Sequence, residues 1–377
     1  MTIASTIINA AVAAEPLLLM TPGPTRVPQR ALDAGGTPMI HHRTPAFSRA
    51  LVSVIEHLRP IYGTQSADVL PIHTTGRGGL EAAITNLYSS GDEIIACCNG
   101  KFGEMWAELA ESYGLVVHRV CTDWGNSVDP NEVEQALRDH PRVRGLTMTH
   151  SDTSTGVQND VASVLALTRA RGVLGMVDCI SALGGTPFEF DAWGADVVVT
   201  ACQKCLMASP GLAFVAVSDR AWAAYKTARL TRNYWDFEAV RANLARPQPE
   251  TPGTAPVHIF LQLAESLAMI HEEGLSSVYA RHEAMAELTR SRAAELGFGP
   301  LFPGFAKRSP TLTALRTPEG VSPKMLREKL MQRRILVAEG LGPHVARCIR
   351  IGHMGDIRPR DVDRTCDALE AILDESR

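Results

Sequence analysis

The strongest constraint in this chain is an alternation of two periodicities. From residue 67 to residue 218, short apolar runs ("ADVLPI", "EIIACC", "VVHRVCT", "VRGLTMTH", "VLGMVD", "ADVVVTA", "GLAFVAVS") are separated by segments with helical spacing ("LEAAITNLYSS", "GEMWAELAESYG", "DPNEVEQALRDH", "VASVLALTRARG"). Near-continuous apolar strands joined by amphipathic helices predict an α/β fold, with a largely parallel sheet buried between two helical layers. A proline-rich passage, "RPQPETPGTAPV" (246–257), closes this region, and a long helical pattern follows, broken at Gly274. Beyond it come strand "TLTALRT", helix "PKMLREKLMQRR", strands "ILVAEG" and "CIRIGHMG", and helix "PRDVDRTCDALEAILDE". Ser322 followed by Pro323 makes a helix start, with the serine as N-cap and proline in the first turn. We therefore expect an N-terminal arm (1–16), a large α/β domain (17–273) and a small C-terminal α/β domain (274–377).

With 377 residues, 45% hydrophobic and 21% charged, the chain has the bulk character of a globular protein. Its net charge of −4 provides no basic field for nucleic acid or an anionic membrane. Anion binding must then be local, built from individual arginines and backbone amides. The opening "MTIASTIINAAVAAEP" is apolar but lacks the Lys or Arg of a secretory leader, and no run reaches transmembrane length. Eight scattered cysteines do not make a disulfide scaffold, and a cytoplasmic location is expected.

Chemistry concentrates at a few positions. In "TACQKCLMASPG" (200–211), Lys204 follows an apolar strand and precedes a turn at Ser209, Pro210 and Gly211. A lysine desolvated at the mouth of a sheet is a candidate Schiff-base residue, though position alone favours an ordinary solvated loop lysine. Cys202 and Cys205 flank it at redox or half-zinc-site spacing. A thioredoxin-type pair needs a helix after it, and a zinc site needs two more ligands; neither is legible here. Asp178 ends the buried strand "VLGMVD", where a carboxylate calls for a cation or a protonated ring nitrogen, unless it caps a helix or forms a salt bridge. "TTGRGG" (74–79) leads into a helix, and small residues at a helix N-terminus cradle phosphate, although a tight turn without a ligand looks the same. Arg350, in "CIRIGHMG", offers bidentate geometry for a carboxylate, with a structural salt bridge as the alternative. Taken together, a lysine, an aspartate and a phosphate cradle on one sheet point to pyridoxal 5′-phosphate, which needs all three.

These residues sit in segments that resemble the class V (fold type I) aminotransferases of the alanine–glyoxylate and serine–glyoxylate group. The markers are "TPGPTRVP", "HHRTPAF", "NGKFGE", "THSDTSTG", "VDCISALGG", "CQKCLMASPG" and "IRIGHMG", in that order from about Leu17 onward. The resemblance implies that Lys204 carries the Schiff base and shuttles the substrate Cα proton. It implies that Asp178 partners the pyridine nitrogen, Phe102 stacks on the ring and Thr153 contacts the phenolic oxygen. Thr75, Gly76, Arg77 and Gln203 match the phosphate site, and Arg350 the substrate carboxylate clamp, with Pro24 in the same pocket. It further implies a homodimer with shared sites, in which Thr254 reaches the neighbour's phosphate, and His42 and Arg43 approach the neighbour's substrate.

The chain departs from the family pattern in places. Thr251 stands where an aromatic residue is frequent, and Phe102 where tryptophan is. Arg77 and the following "GGLEA" are similar to the loop of ureidoglycine–glyoxylate aminotransferases, while "HHR" is closer to the alanine/serine–glyoxylate members, with Arg43 able to meet a second carboxylate. Cysteine desulfurases stack a histidine on the ring and usually place another before the lysine; this chain has Phe102 and Gln203. Pyridoxamine–pyruvate enzymes fill the phosphate pocket with an acid, against which Thr75, Gly76 and Arg77 argue. The expected activity is a ping-pong transamination from an alanine- or serine-type donor to glyoxylate or pyruvate. The competing readings are a ureidoglycine–glyoxylate or pyridoxamine–pyruvate type aminotransferase, a CxxC thiol oxidoreductase and a non-catalytic binding homologue.

Overall fold

The computed structural model describes residues 16–304 and 307–375, so the expected arm, Pro16 apart, lies outside the described residues. The first elements are β1 (Leu18–Met20), α1 (Gln29–Gly35), α2 (Pro45–Tyr62), β2 (Asp68–Ile72) and α3 (Gly76–Leu87). Then come β3 (Glu93–Cys98), α4 (Lys101–Ser112), β4 (Val116–Cys121), α5 (Pro130–Asp139), β5 (Gly145–Thr149), β6 (Ser151–Asp152) and β7 (Val157–Gln158). After α6 (Val161–Ala170) and β8 (Leu174–Asp178) the chain runs through α7 (Phe190–Trp193), β9 (Val197–Ala201), β10 (Ala213–Val217), α8 (Asp219–Tyr225) and α9 (Phe237–Leu244). The remainder is α10 (Val257–Glu273), α11 (Leu275–Glu295), β11 (Gly299–Pro300), β12 (Leu312–Arg316), α12 (Pro323–Gln332), β13 (Ile335–Glu339), β14 (Cys348–Gly352) and α13 (Pro359–Asp374).

The alternating runs form a seven-stranded sheet, ordered β2-β10-β9-β8-β5-β3-β4. β10 is antiparallel to both β2 and β9, and the other pairs are parallel. The strands read as continuous apolar runs because both faces are buried. Val198 belongs to the core under α2 and α10, whereas Val197 and Val199 face the opposite core with α3 and Trp106. With β10 reversed, β2, β9, β8, β5 and β3 all end on the same edge. The loops after them, which hold "TTGRGG", Lys204, Asp178, "THSDTSTG" and "NGKFGE", therefore converge, as ligand-binding loops do in open α/β sheets.

A second sheet, β1-β13-β14-β12-β11, carries the C-terminal core. Its helix α12 starts where expected, with the Ser322 hydroxyl accepting from Met325 N at 3.4 Å and Pro323 in the first turn. α10 ends at Gly274, whose φ of 83° turns the chain into α11. One element differs from the sequence reading. β1, grouped there with residues 17–273, pairs in parallel with β13, Leu18 opposite Ile335 and Met20 opposite Val337. Nothing local specifies this partner, because a three-residue apolar run suits either sheet. Its consequence is large: it draws the segment that follows, Thr21–Thr25, across the strand ends of the first sheet.

Met20 is fully buried in the C-terminal core. Met20→Ala is expected to lower stability by about 2–5 kcal/mol. Urea unfolding is the measurement, and a loss below about 1 kcal/mol would show that β1 contributes little to that core.

Candidate functional site

Lys204 lies in the turn between β9 and β10, under the Thr21–Thr25 segment. Its Nζ donates a short hydrogen bond to Pro22 O. Thr25 closes the same contact from the other side: its N donates to Gln203 O and its Oγ1 to Lys204 O, both at 3.0 Å. At Gly23 (φ +109°) an added Cβ would come within 2.6 Å of Lys204 Nζ, so only glycine allows this approach. Burial pushes the Lys204 amine down to about 8, since a desolvated ammonium is disfavoured.

Asp178, at the end of β8, is buried, and burial pushes its carboxyl up to about 7. Its Oδ1 accepts from Ile180 N at 2.8 Å, and among the described residues no cation forms an ion pair with it. A buried carboxylate without a cationic partner is costly. A bound group with a protonated ring nitrogen would restore its charge.

The phosphate-like loop corrects one detail of the sequence reading. The helix begins at Gly76, so the glycines form its first turn instead of a loop before it. Glycine is a poor helix former, but packing demands it: added Cβ atoms would meet Ile180 at 2.5 Å from Gly76 and Thr74 Oγ1 at 1.9 Å from Gly78. Gly79 N bonds Thr75 O, leaving the preceding first-turn amides at a helix start where Thr75 and Arg77 are exposed.

Phe102 is the second residue of α4, with its N donating to Asp152 Oδ2 at 3.0 Å. Asp152 Oδ1 also accepts from Ser154 N (2.9 Å) and from Ser154 Oγ (2.5 Å), so this buried carboxylate fastens "THSDTSTG" to "NGKFGE". The sequence reading missed Asp152; the one available signal was an acid inside a run of hydroxyl residues. Thr153, next to it, accepts through its carbonyl from Arg350 Nη1 at 2.7 Å. Arg350 Nε donates to Glu339 O, also at 2.7 Å. Among the described residues Arg350 has no carboxylate partner. It is thus a buried guanidinium fixed by carbonyls, with the Asp152 and Glu339 charges near it but no carboxylate in direct contact.

The residues implied to cross between subunits form no hydrogen bond or ion pair with Lys204, Asp178 or Arg350 among the described residues. Arg43 pairs with Glu250 at 2.7 Å and donates to Thr251 O at 2.9 Å. His42 stands between His41 and Arg43, and Thr254 is exposed in the loop before α10. Pro24 is exposed on the segment that covers Lys204, and Gln203 is half-buried. The two cysteines beside Lys204 are buried, with the thiols pushed up to about 11 (Cys202) and about 12 (Cys205) by burial. Turn and strand follow them, not the helix that a redox thiolate needs.

An aldehyde-bearing cofactor with a pyridinium and a phosphate fits these residues: a desolvated amine, a buried carboxylate that forms no ion pair among the described residues, and a glycine-built helix N-terminus. The family model "Aminotransferase class-V" matches residues 19–364. The chain belongs to the class-V aminotransferase family. It is 37% identical over 362 residues to a protein of Synechococcus sp. named soluble hydrogenase, small subunit (95% of this chain, 93% of that protein). It is 35% identical over 345 residues to the L-aspartate–glyoxylate aminotransferase of Paracoccus denitrificans (90% and 86%). The crystal structure of alanine–glyoxylate aminotransferase from Nostoc sp. superposes with a TM-score of 0.91 at 30% identity, covering 96% of each chain. The protein is an aminotransferase of fold type I, and its cofactor is pyridoxal 5′-phosphate.

Asp178 gives a pH signature to this class-V aminotransferase. Its carboxyl is raised in the folded state, so its stabilising contribution is complete below the unfolded value of about 4 and is lost as pH rises through about 7. Urea unfolding of cofactor-free protein is expected to show this fall between about pH 4 and 7, and Asp178→Asn to flatten it. An unchanged slope in the variant would show that Asp178 does not titrate there.

Proposed function

We propose that this aminotransferase moves the amino group of a small amino acid, of the alanine or serine type, to glyoxylate or pyruvate. The observation that carries the reading is Arg350, a buried guanidinium that forms no carboxylate ion pair among the described residues and is oriented by the carbonyls of Glu339 and Thr153. A substrate α-carboxylate satisfies such a group, with the rigid bidentate fork aligning the amino acid. Arg43 is held in place by Glu250, a carboxylate it shares with Arg246.

When bound, pyridoxal phosphate supplies an aldehyde for the amine and an electron-withdrawing ring. In this reading Lys204, held near pH 8 by desolvation, is available as a neutral amine to take and return the substrate Cα proton. Asp178 would hold the ring nitrogen's proton, and Phe102 would cover one ring face. Thr153 would contact the phenolic oxygen, while the first turn of α3 (Thr75, Gly76, Arg77) and Gln203 would hold the phosphate. Pro22 and Pro24, over Lys204, limit water at the reacting end.

A homodimer belongs to the same proposal, with Thr254, His42 and Arg43 completing the neighbour's site. What supports it is an exposed aromatic: Tyr234, 66% accessible, lines a hollow with His73, Pro252 and Gly253, next to the phosphate helix. We place the enzyme in the cytoplasm, without membrane or nucleic-acid partners; no helix among the described residues is long and apolar enough to cross a membrane.

With cofactor bound, the protein is expected to show a near-ultraviolet or visible band that borohydride abolishes and that Lys204→Ala lacks. Stopped-flow half-reactions should show alanine or serine consuming that band. Conversion by aspartate or pyridoxamine alone would overturn the substrate proposal. Arg350→Ala, with its band intact, is expected to weaken every amino-acid donor by about 10–100-fold, the worth of a charged hydrogen bond. Losses confined to one donor would remove Arg350 from the carboxylate role.

A further inference from the structure

Of the eight cysteines only Cys121 is exposed. It ends the edge strand β4, and its register partner on β3 is Cys98. Neighbouring strands lie about 4.8 Å apart, inside the Cα separation of about 4.4–6.8 Å that a disulfide spans. Register partners project to the same face, and the Cys121 side chain lies close enough to act on the Cys98 thiol, which itself donates to Ala96 O at 3.6 Å. Cys97 points to the other face, into the large core, and takes no part.

The surroundings distinguish the two thiols. Arg119, two residues before Cys121, feels the charge of both sulfurs, although Glu111 also pairs with it. Cys98 lies beneath α4, close to Ala96 and Ala107, where Glu104 opposes a thiolate. The pair therefore has an accessible sulfur near a guanidinium and a sheltered sulfur beside it. An oxidant meets Cys121 first, and Cys98, although burial pushes its thiol up to about 12, is the sulfur the register places beside it to resolve the product.

We propose that Cys98 and Cys121 form a reversible, peroxide-sensitive dithiol, a modification site separate from the Lys204 centre. A hydroperoxide oxidises the Cys121 thiol to a sulfenic acid and is itself reduced to the alcohol, or to water in the case of hydrogen peroxide. The Cys98 sulfur then attacks the Cys121 sulfur. The S–S bond forms, the S–OH bond breaks, and hydroxide leaves with the Cys98 proton as water. A dithiol reductant returns both thiols. The new bond would join the sheet edge to the strand end that leads, through Asn99 and Gly100, to Phe102.

The test is hydrogen peroxide treatment of the cofactor-loaded protein, followed by thiol titration under denaturing conditions and peptide mapping. Two of the eight thiols are expected to disappear, the mass to fall by two hydrogens, and a peptide linking Cys98 to Cys121 to appear and vanish with dithiothreitol. Cys121→Ser should keep its transaminase activity and form no such peptide. Cys98→Ser should leave a sulfenic acid at Cys121 that dimedone traps. If that variant does not fold, the wild-type peptide map decides alone. Oxidation of Cys121 to a sulfinic acid, or a bond from Cys121 to another molecule while Cys98 stays a free thiol, would overturn the proposal.

Discussion

The site depends on the burial of one ammonium group. Lys204 loses most of its water because Thr21–Thr25 is laid over it, with Pro22 O receiving its Nζ and Thr25 bonding back to Gln203 and Lys204. That segment holds its position because β1 pairs with β13 in the other sheet. The pairing therefore sets the electrostatics of a residue that hangs from β9. Desolvation acts in opposite directions on the two charged groups at these strand ends, moving Lys204 down to about 8 and Asp178 up to about 7. Each is moved toward its neutral form because the pocket desolvates its charge. In the proposed reading, a cationic ring nitrogen beside Asp178 and an electrophilic carbon beside Lys204 would relieve both.

Arg350 shows the same dependence from the other side. β14 belongs to the C-terminal sheet, yet the Arg350 guanidinium reaches Thr153 O in the loop after β5 of the large sheet. Thr153 is in turn held by its neighbour Asp152, which binds the amide of Phe102. Phe102, Thr153 and Arg350 are thus linked by a short chain of hydrogen bonds, each through a backbone atom. Backbone anchoring leaves the hydroxyl of Thr153 and the face of the guanidinium for other partners, and it holds them with little rotational freedom to lose on binding.

Much of the large sheet was legible because strands buried on both faces must be continuously apolar and the helices between them amphipathic. Lys204, Asp178 and Arg350 were legible as chemical types out of place: charged residues at the ends of apolar strands or inside one. The missed features share a different character. The parallel partner of β1 rests on tertiary packing, because "LLLM" has no local property that selects β13. The start of α3 at Gly76 runs against helix propensity and is set by contacts with Ile180 and Thr74. Asp152 looks like any loop acid until its three hydrogen-bond donors are assembled. Arg43 reads as a free cation in sequence, yet it meets Glu250, some two hundred residues away, in the fold.

The chain's two pairs of neighbouring cysteines divide along physical lines. Cys202 and Cys205 have the spacing of a redox motif, but both are buried and burial holds their thiols protonated. The Cys202 thiol donates to Ser209 O at 2.8 Å and accepts from Leu212 N at 3.4 Å, which makes it a brace for the turn that presents Lys204. Cys98 and Cys121 share no motif and lie on different strands, yet the sheet register brings them side by side with one of them exposed. Thiol reactivity follows access and local charge, not sequence spacing. Burial raises the Cys98 thiol as it does those of Cys202 and Cys205, so it is the exposure of Cys121 that places the inconspicuous pair at the sheet edge to respond to oxidant.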